Sequence, residues 1–167
     1  MNINQALIME FRHEMANTRK LLERVPYDKA SWKPHEKSST LASLAFHVAR
    51  IPTWVERIMT REEFDVAAPG AFPKIDPSAS TAELLAFLDK NNADALHQLE
   101  KASNEELLKP WKFHRAGQVF FTLPRVATIR NMAFNHQYHH RGQLSVYLRL
   151  LNVPIPGMYG PSADEAM

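Results

Sequence analysis

The strongest constraint on this chain is periodic. Four stretches carry apolar residues at steps of three or four, the spacing of one helix face. In the first, Ile3, Leu7, Phe11, Met15, Thr18, Leu22 and Val25 share a stripe, and Pro26 stops it. The second starts near Thr40, where Ser39 or Thr40 can cap the free backbone N–H groups. It continues through Leu41, Leu44, Val48, Ile51, Val55 and Ile58, and Pro52 within it predicts a kink. The third runs from about Thr81 to Ala102 on Leu85, Leu88, Asn92, Ala95, Leu99 and Ala102. The fourth runs from about Pro124 to Leu151 on Ile129, Ala133, His136, His140, Leu144 and Tyr147. Between them, residues 27–39 read as an ordered loop and the proline-rich 65–80 as a long one. Residues 107–123 read as an extended excursion, a hairpin around Arg115–Gly117. The pattern predicts an all-α fold: a four-helix bundle in one domain, 1–167, with long connections and a short hairpin before the last helix.

Composition narrows the chemistry. Twenty basic and 18 acidic residues leave a net charge of +2, with no basic stripe, which argues against a nucleic-acid partner. No apolar run approaches the ~20 residues of a membrane span. The N-terminal stretch lacks the basic start and continuous apolar segment of a signal peptide, so a soluble, cytoplasmic protein is expected. Cysteine is absent, which excludes disulfides, a cysteine nucleophile and thiolate metal ligands. Eight histidines remain, three of them within 136–140.

His136 and His140 stand four apart on a predicted helix. Their side chains therefore lie within ~40° of each other, about one turn apart, and both imidazoles can reach one ion. They occupy otherwise apolar positions, so they are expected to face the interior. His47 lies on the stripe of the second helix, between Leu44 and Ile51, and is the best third ligand. Three protein ligands leave a coordination position open, the pattern of catalytic zinc. His139 is about 100° away around the helix and is expected at a boundary or the surface. His13 and His97 read as surface residues, and His35 and His114 as loop residues able to line the site mouth. Gln143 can orient a ligand or hold the bundle seam, the seam being the simpler reading. Asn92 can set register or line a cavity. Tyr159 can fold over the site or sit in a surface turn. Trp32, Trp54 and Trp111 read as packing residues. A di-iron site needs Glu-x-x-His pairs, which neither His47 nor His136 completes.

The stretch HQYHHRGQLSVYLRLLNVPIPGMYGPSADE (136–165) resembles the C-terminal signature of the DinB family, the DinB/YfiT-like metalloenzymes. The segment SWKPHEKSSTLASLAFHVARIPTWVE (31–56) is similar to the family's W-x-P loop and the one-histidine helix after it. The resemblance implies a four-helix bundle holding one divalent ion per chain, zinc or nickel, on His47, His136 and His140. It also implies a homodimer. Relatives in the wider superfamily are S-transferases that use bacillithiol, mycothiol or glutathione.

Three functions then compete. In the first, the ion acidifies a low-molecular-weight thiol that attacks an electrophile; a chain without cysteine suits an external nucleophile. In the second, the ion activates water for hydrolysis, with Asp164 or Glu165 as the available base. In the third, the bundle is a non-catalytic metal-binding stress protein, which a fourth protein ligand such as His35 or His114 would favour.

Overall fold

The computed structural model describes residues 2–72 and 80–165. The helix expected at the N-terminus is α1, Ile3–Leu22. A single 3-10 turn, Tyr27–Lys29, opens the loop before the second helix. Thr40 caps that helix, its hydroxyl accepting from Ser43 N at 3.2 Å. Pro52 does more than bend it. The segment divides into α2, Leu41–Arg50, and α3, Thr53–Thr60. At the break, Trp54 N bonds Ile51 O at 3.0 Å and Val55 N bonds Pro52 O at 3.1 Å, the short-range bonds of a tightened turn.

The chain is not purely helical. A strand, β1 (Glu63–Asp65), lies where the long loop was expected to begin. Residues 73–79 of that loop lie outside the described residues. Helix α4, Thr81–Lys101, opens on a reciprocal cap: Glu83 N donates to Ser80 Oγ and Ser80 N to the Glu83 carboxylate. A short helix, α5 (Asn104–Leu108), comes next. The expected hairpin is β2 (Pro110–Arg115) and β3 (Gln118–Pro124), joined by Ala116 and Gly117, both at positive φ. β1 pairs in parallel with β2, giving a three-stranded sheet of order β1-β2-β3.

The last helical segment is interrupted. Helix α6, Arg125–Ile129, passes into a π-helical turn, Arg130–Asn135, and then into α7, His136–Leu150. A π turn holds more residues than an α turn and shifts the phase of the helix after it. The buried face of α7 is Gln137, Arg141, Leu144 and Leu148. His136, His140 and Tyr147 are half-buried beside it, where the unbroken period had placed them facing inward. Helix α4 differs by one residue in two places: Leu84 and Asn91 are buried, not Leu85 and Asn92. Asn91 donates to Ala49 O of α2 at 3.0 Å.

Helix α4 packs against α1, α2 and α3, while α2 and α1 also meet α7. Two cores result. One gathers Phe11, Trp54, Phe64, Trp111 and Phe134 at the sheet end. The other gathers Leu22, Leu44, Val48, Leu88, Leu144 and Leu148. Trp54 and Trp111 are buried packing residues, and Trp32 meets Tyr147 edge-on at 5.6 Å. No helix among the described residues is long and apolar enough to cross a membrane.

Candidate metal centre

The contact between α2 and α7 brings His47 onto His136 and His140. The ring centroids stand 4.8 Å apart for His47–His136, 4.3 Å for His47–His140 and 4.6 Å for His136–His140. One nitrogen from each ring falls within 4.8 Å of the other two, close enough for a single ion to reach all three.

Each ring is also held by a second contact. His140 Nδ1 bonds Gln143 Oε1 at 2.7 Å. An amide oxygen only accepts, so Nδ1 carries the proton and Nε2 keeps its lone pair. The His136 ring donates to the Met132 carbonyl, which belongs to the π turn. Thus the turn that shifts the phase of α7 also supplies an anchor for the first histidine. Arg50, one turn beyond His47, donates to His47 Nδ1 at 3.0 Å. Arginine has no acceptor, so the ring proton of neutral His47 sits on Nε2 and points to His136 Nε2, 3.0 Å away. For a cation to take this point, His47 must move its proton to Nδ1 and Arg50 must turn its N–H away from that nitrogen, a change of tautomer with no net release of protons.

The electrostatics keep the cluster neutral. Burial lowers His47 to about 3, with His140, His136 and Arg50 adding to the effect. Burial lowers His136 to about 4, helped by His140 and opposed by the Met132 carbonyl. Burial also lowers His140, against the bond to Gln143. All three rings are therefore uncharged at neutral pH, the form a metal requires.

The other sequence candidates lie elsewhere. His139 is exposed, its ring 4.7 Å from that of His140. His13 and His97 are exposed, as expected. His35 is exposed and accepts from Lys37 N within its own loop. His114 is buried in β2, with Nε2 3.5 Å from Glu63 and Nδ1 3.9 Å from Asp65. Neither His35 nor His114 joins the three-histidine group. Tyr159 does not close over that group, because its hydroxyl is tied to Glu14 and Arg141. Asn92 is half-buried on α4, its Oδ1 without a partner. Gln143 is exposed and orients His140, so it does not hold the seam. Sequence reasoning missed Arg50. The signal was its place three residues after His47 on one helix face.

Comparisons with known proteins agree with the fold. The chain is 25% identical over 162 residues to the uncharacterized protein YrdA of Bacillus subtilis strain 168, covering 95% of this chain and 89% of that one. It superposes on the crystal structure of a DinB-like protein from Bacillus cereus ATCC 10987 with a TM-score of 0.71 at 21% identity, covering 95% and 98% of the two chains. A second DinB-like protein, YjoA of Bacillus subtilis, gives 0.68 at 20% identity, covering 89% and 96%. At these identities the two structures establish the fold. The pattern of the DinB family matches residues 1–167, and the chain belongs to that family.

Proposed function

We propose that this protein is a metal-dependent enzyme of the thiol S-transferase type, with one divalent ion, zinc or nickel, held by His47, His136 and His140. The observation that carries the reading is the convergence of three neutral, half-buried imidazoles from two helices. Their donor set fits a borderline divalent ion, and three protein ligands leave room for an exogenous one. When bound, the ion supplies a Lewis acid that lowers the pKa of a low-molecular-weight thiol. The chain's own part is to bring three imidazole nitrogens to one point, fix the His140 tautomer through Gln143 and anchor His136 on the Met132 carbonyl. It contributes no competing thiol.

The alternatives lose particular supports. Asp164, the first base considered for hydrolysis, is bound to Arg149 and Ile155 N, and Glu165 to Gly157 N. Both brace the C-terminal tail. His35 and His114, the candidate fourth ligands of a structural site, lie outside the three-histidine group. The same reading takes the chain as one domain, 1–167, of a cytoplasmic homodimer acting on a small molecule, without nucleic-acid or membrane partners. It takes α1, α2–α3, α4 and α6–α7 as the four members of a bundle.

Elemental analysis of the purified protein tests the centre. About one zinc or nickel per chain, lost in His136→Ala, is the expected result. No ion after reloading with either metal overturns the proposal. If metal is present, the thiolate absorbance of a simple thiol titrated into the loaded protein must develop at lower pH than in free solution. An unshifted titration removes the transferase reading and leaves the metal site.

A further inference from the structure

Three arginines lead away from the histidine centre along α2 and α3. Arg50 ends α2, Arg57 lies on α3 and Arg61 follows the last residue of α3, and what brings them together is a shared set of aromatic rings. Two aromatic rings separate them. The Arg50 and Arg57 guanidinium carbons stand 5.1 and 5.5 Å from the Phe72 centroid. Arg57 and Arg61 stand 5.0 and 5.9 Å from the Phe64 centroid. Arg57 also lies 5.2 Å from the Trp54 ring. The order is an alternating ladder, cation and ring, that begins 3.0 Å from His47 Nδ1.

Cation–π contacts occupy the faces of the guanidinium groups and leave their N–H edges available. Among the described residues, no carboxylate forms a salt bridge with Arg50, Arg57 or Arg61. The nearby acids are committed elsewhere. Glu63 holds Lys112, and Asp94 holds Lys90 at 2.7 Å. Asp65 accepts from Ala67 N and Ala116 N, and Glu56 accepts from the Thr60 hydroxyl. Burial lowers the pKa of Arg57, the like charges of Arg50 and Arg61 lower it further, and Glu56 offsets part of this. Two cavities open on the Arg57–Arg61 end of the ladder, one of about 280 Å³ beside Phe64 and one of about 500 Å³ between α3 and α4. Half-buried Arg57, with the like charges of half-buried Arg50 and exposed Arg61 on either side, is stabilised when a multivalent anion lies among the three.

We propose that this ladder binds a small molecule carrying two or more carboxylate or phosphate groups, with its reactive end at the histidine centre. Placement of that reactive end rests on the metal reading above; the anion site itself does not. A substrate thiol of this protein is then an acidic one, and neutral thiols are poor substitutes.

Calorimetric titration with three probes tests this: mercaptosuccinate (thiol and two carboxylates), succinate (carboxylates alone) and 2-mercaptoethanol (thiol alone). Each is titrated into zinc-loaded and metal-free wild-type protein and into Arg57→Gln and Arg61→Gln. These arginines are not metal ligands, so zinc content and circular dichroism should match wild type in both variants. Loss of one charge-assisted contact is about a tenfold effect. Mercaptosuccinate and succinate should therefore weaken about tenfold in each variant, while 2-mercaptoethanol does not change. In the loaded wild type, mercaptosuccinate should bind at least about tenfold more tightly than 2-mercaptoethanol. Dicarboxylates that bind wild type and both variants equally, or not at all, overturn the ladder whatever the zinc result. Succinate binding that depends on Arg57 and Arg61, with no thiol binding in loaded protein, keeps the ladder and removes the thiol reading.

Discussion

Helix α7 carries two polar clusters on neighbouring flanks, and they are built on opposite rules. His136 and His140 point toward α2, while Gln137 and Arg141, each one position further along, turn about 100° away toward α1. Arg141 is 2% exposed. Its guanidinium donates to the Glu14 carboxylate at 2.5 Å, the Glu14 carbonyl at 2.9 Å and the Thr18 hydroxyl at 3.2 Å. Tyr159, from the C-terminal tail, adds its hydroxyl to the pair and donates to Glu14 at 2.6 Å. Opposite charges and matched donors close the Arg141, Glu14 and Tyr159 group on itself. The histidines are like groups pressed together, each with its outer nitrogen engaged and its inner nitrogen turned to a common point. Complementary groups stabilise one another; like groups held together are stable with a third party. The contrast separates a structural knot from a ligand site on a single helix.

The largest expected effect comes from breaking the knot. Arg141→Met leaves a buried Glu14 carboxylate without its cation and should cost about 3–5 kcal/mol, measured by urea unfolding. The folded fraction should retain its metal. Adding Glu14→Leu to Arg141→Met should recover much of that loss, because the desolvated charge is then gone. Equal destabilisation in the double variant would mean that the knot is not an ion pair.

The histidine cluster should respond to ligand and pH instead. Free zinc at about 100 times its dissociation constant should stabilise the wild type by about 2.7 kcal/mol, and His136→Ala by far less. Without metal, His47 and His136 titrate near 3 and 4 in the folded chain, against an unfolded value of about 6.5. Below pH 6.5 the unfolded chain takes up protons that the folded chain refuses. Stability of the metal-free protein is therefore full above about 6.5 and falls as the pH drops toward 4. Thermal unfolding across pH 4–7, with and without chelator, should show this slope, flattened in His47→Ala. A slope unchanged by that substitution would assign it to other groups.

Much of this contrast was legible in the sequence, and the reasons for the rest are physical. The stripes of α1 and α2 keep to the helical period because the apolar side chains there have one face to bury. Pro52 and the Ala116–Gly117 turn announced themselves through local backbone chemistry. The histidine set came from a four-residue spacing and one inward position. Strand β1 was not legible, because three residues of parallel pairing depend on a partner about 50 positions away. The π turn was not legible either, and it moved Arg141 into the core and His136 to its flank. Nothing local distinguishes an arginine destined for Glu14 from one destined for water. The ladder needed Phe64 and Phe72 brought over α3 from beyond it, which no periodicity records.

The smallest effects give the finest test, because they touch one residue at the margin of each cluster. Gln143 is exposed, so Gln143→Ala should leave unfolding unchanged within about 0.5 kcal/mol. It removes the acceptor that keeps the His140 proton on Nδ1, and metal affinity should fall about tenfold or more. Tyr159 is 69% exposed, and Tyr159→Phe removes only a hydroxyl. That hydroxyl bonds the buried Glu14 carboxylate, so its loss should cost about 1 kcal/mol. Metal affinity should not change. The two variants thus exchange readouts, one moving affinity without stability and the other stability without affinity. A Tyr159→Phe protein with weakened metal binding would mean that the clusters communicate through α7, and the division between knot and ligand site would then be one of degree.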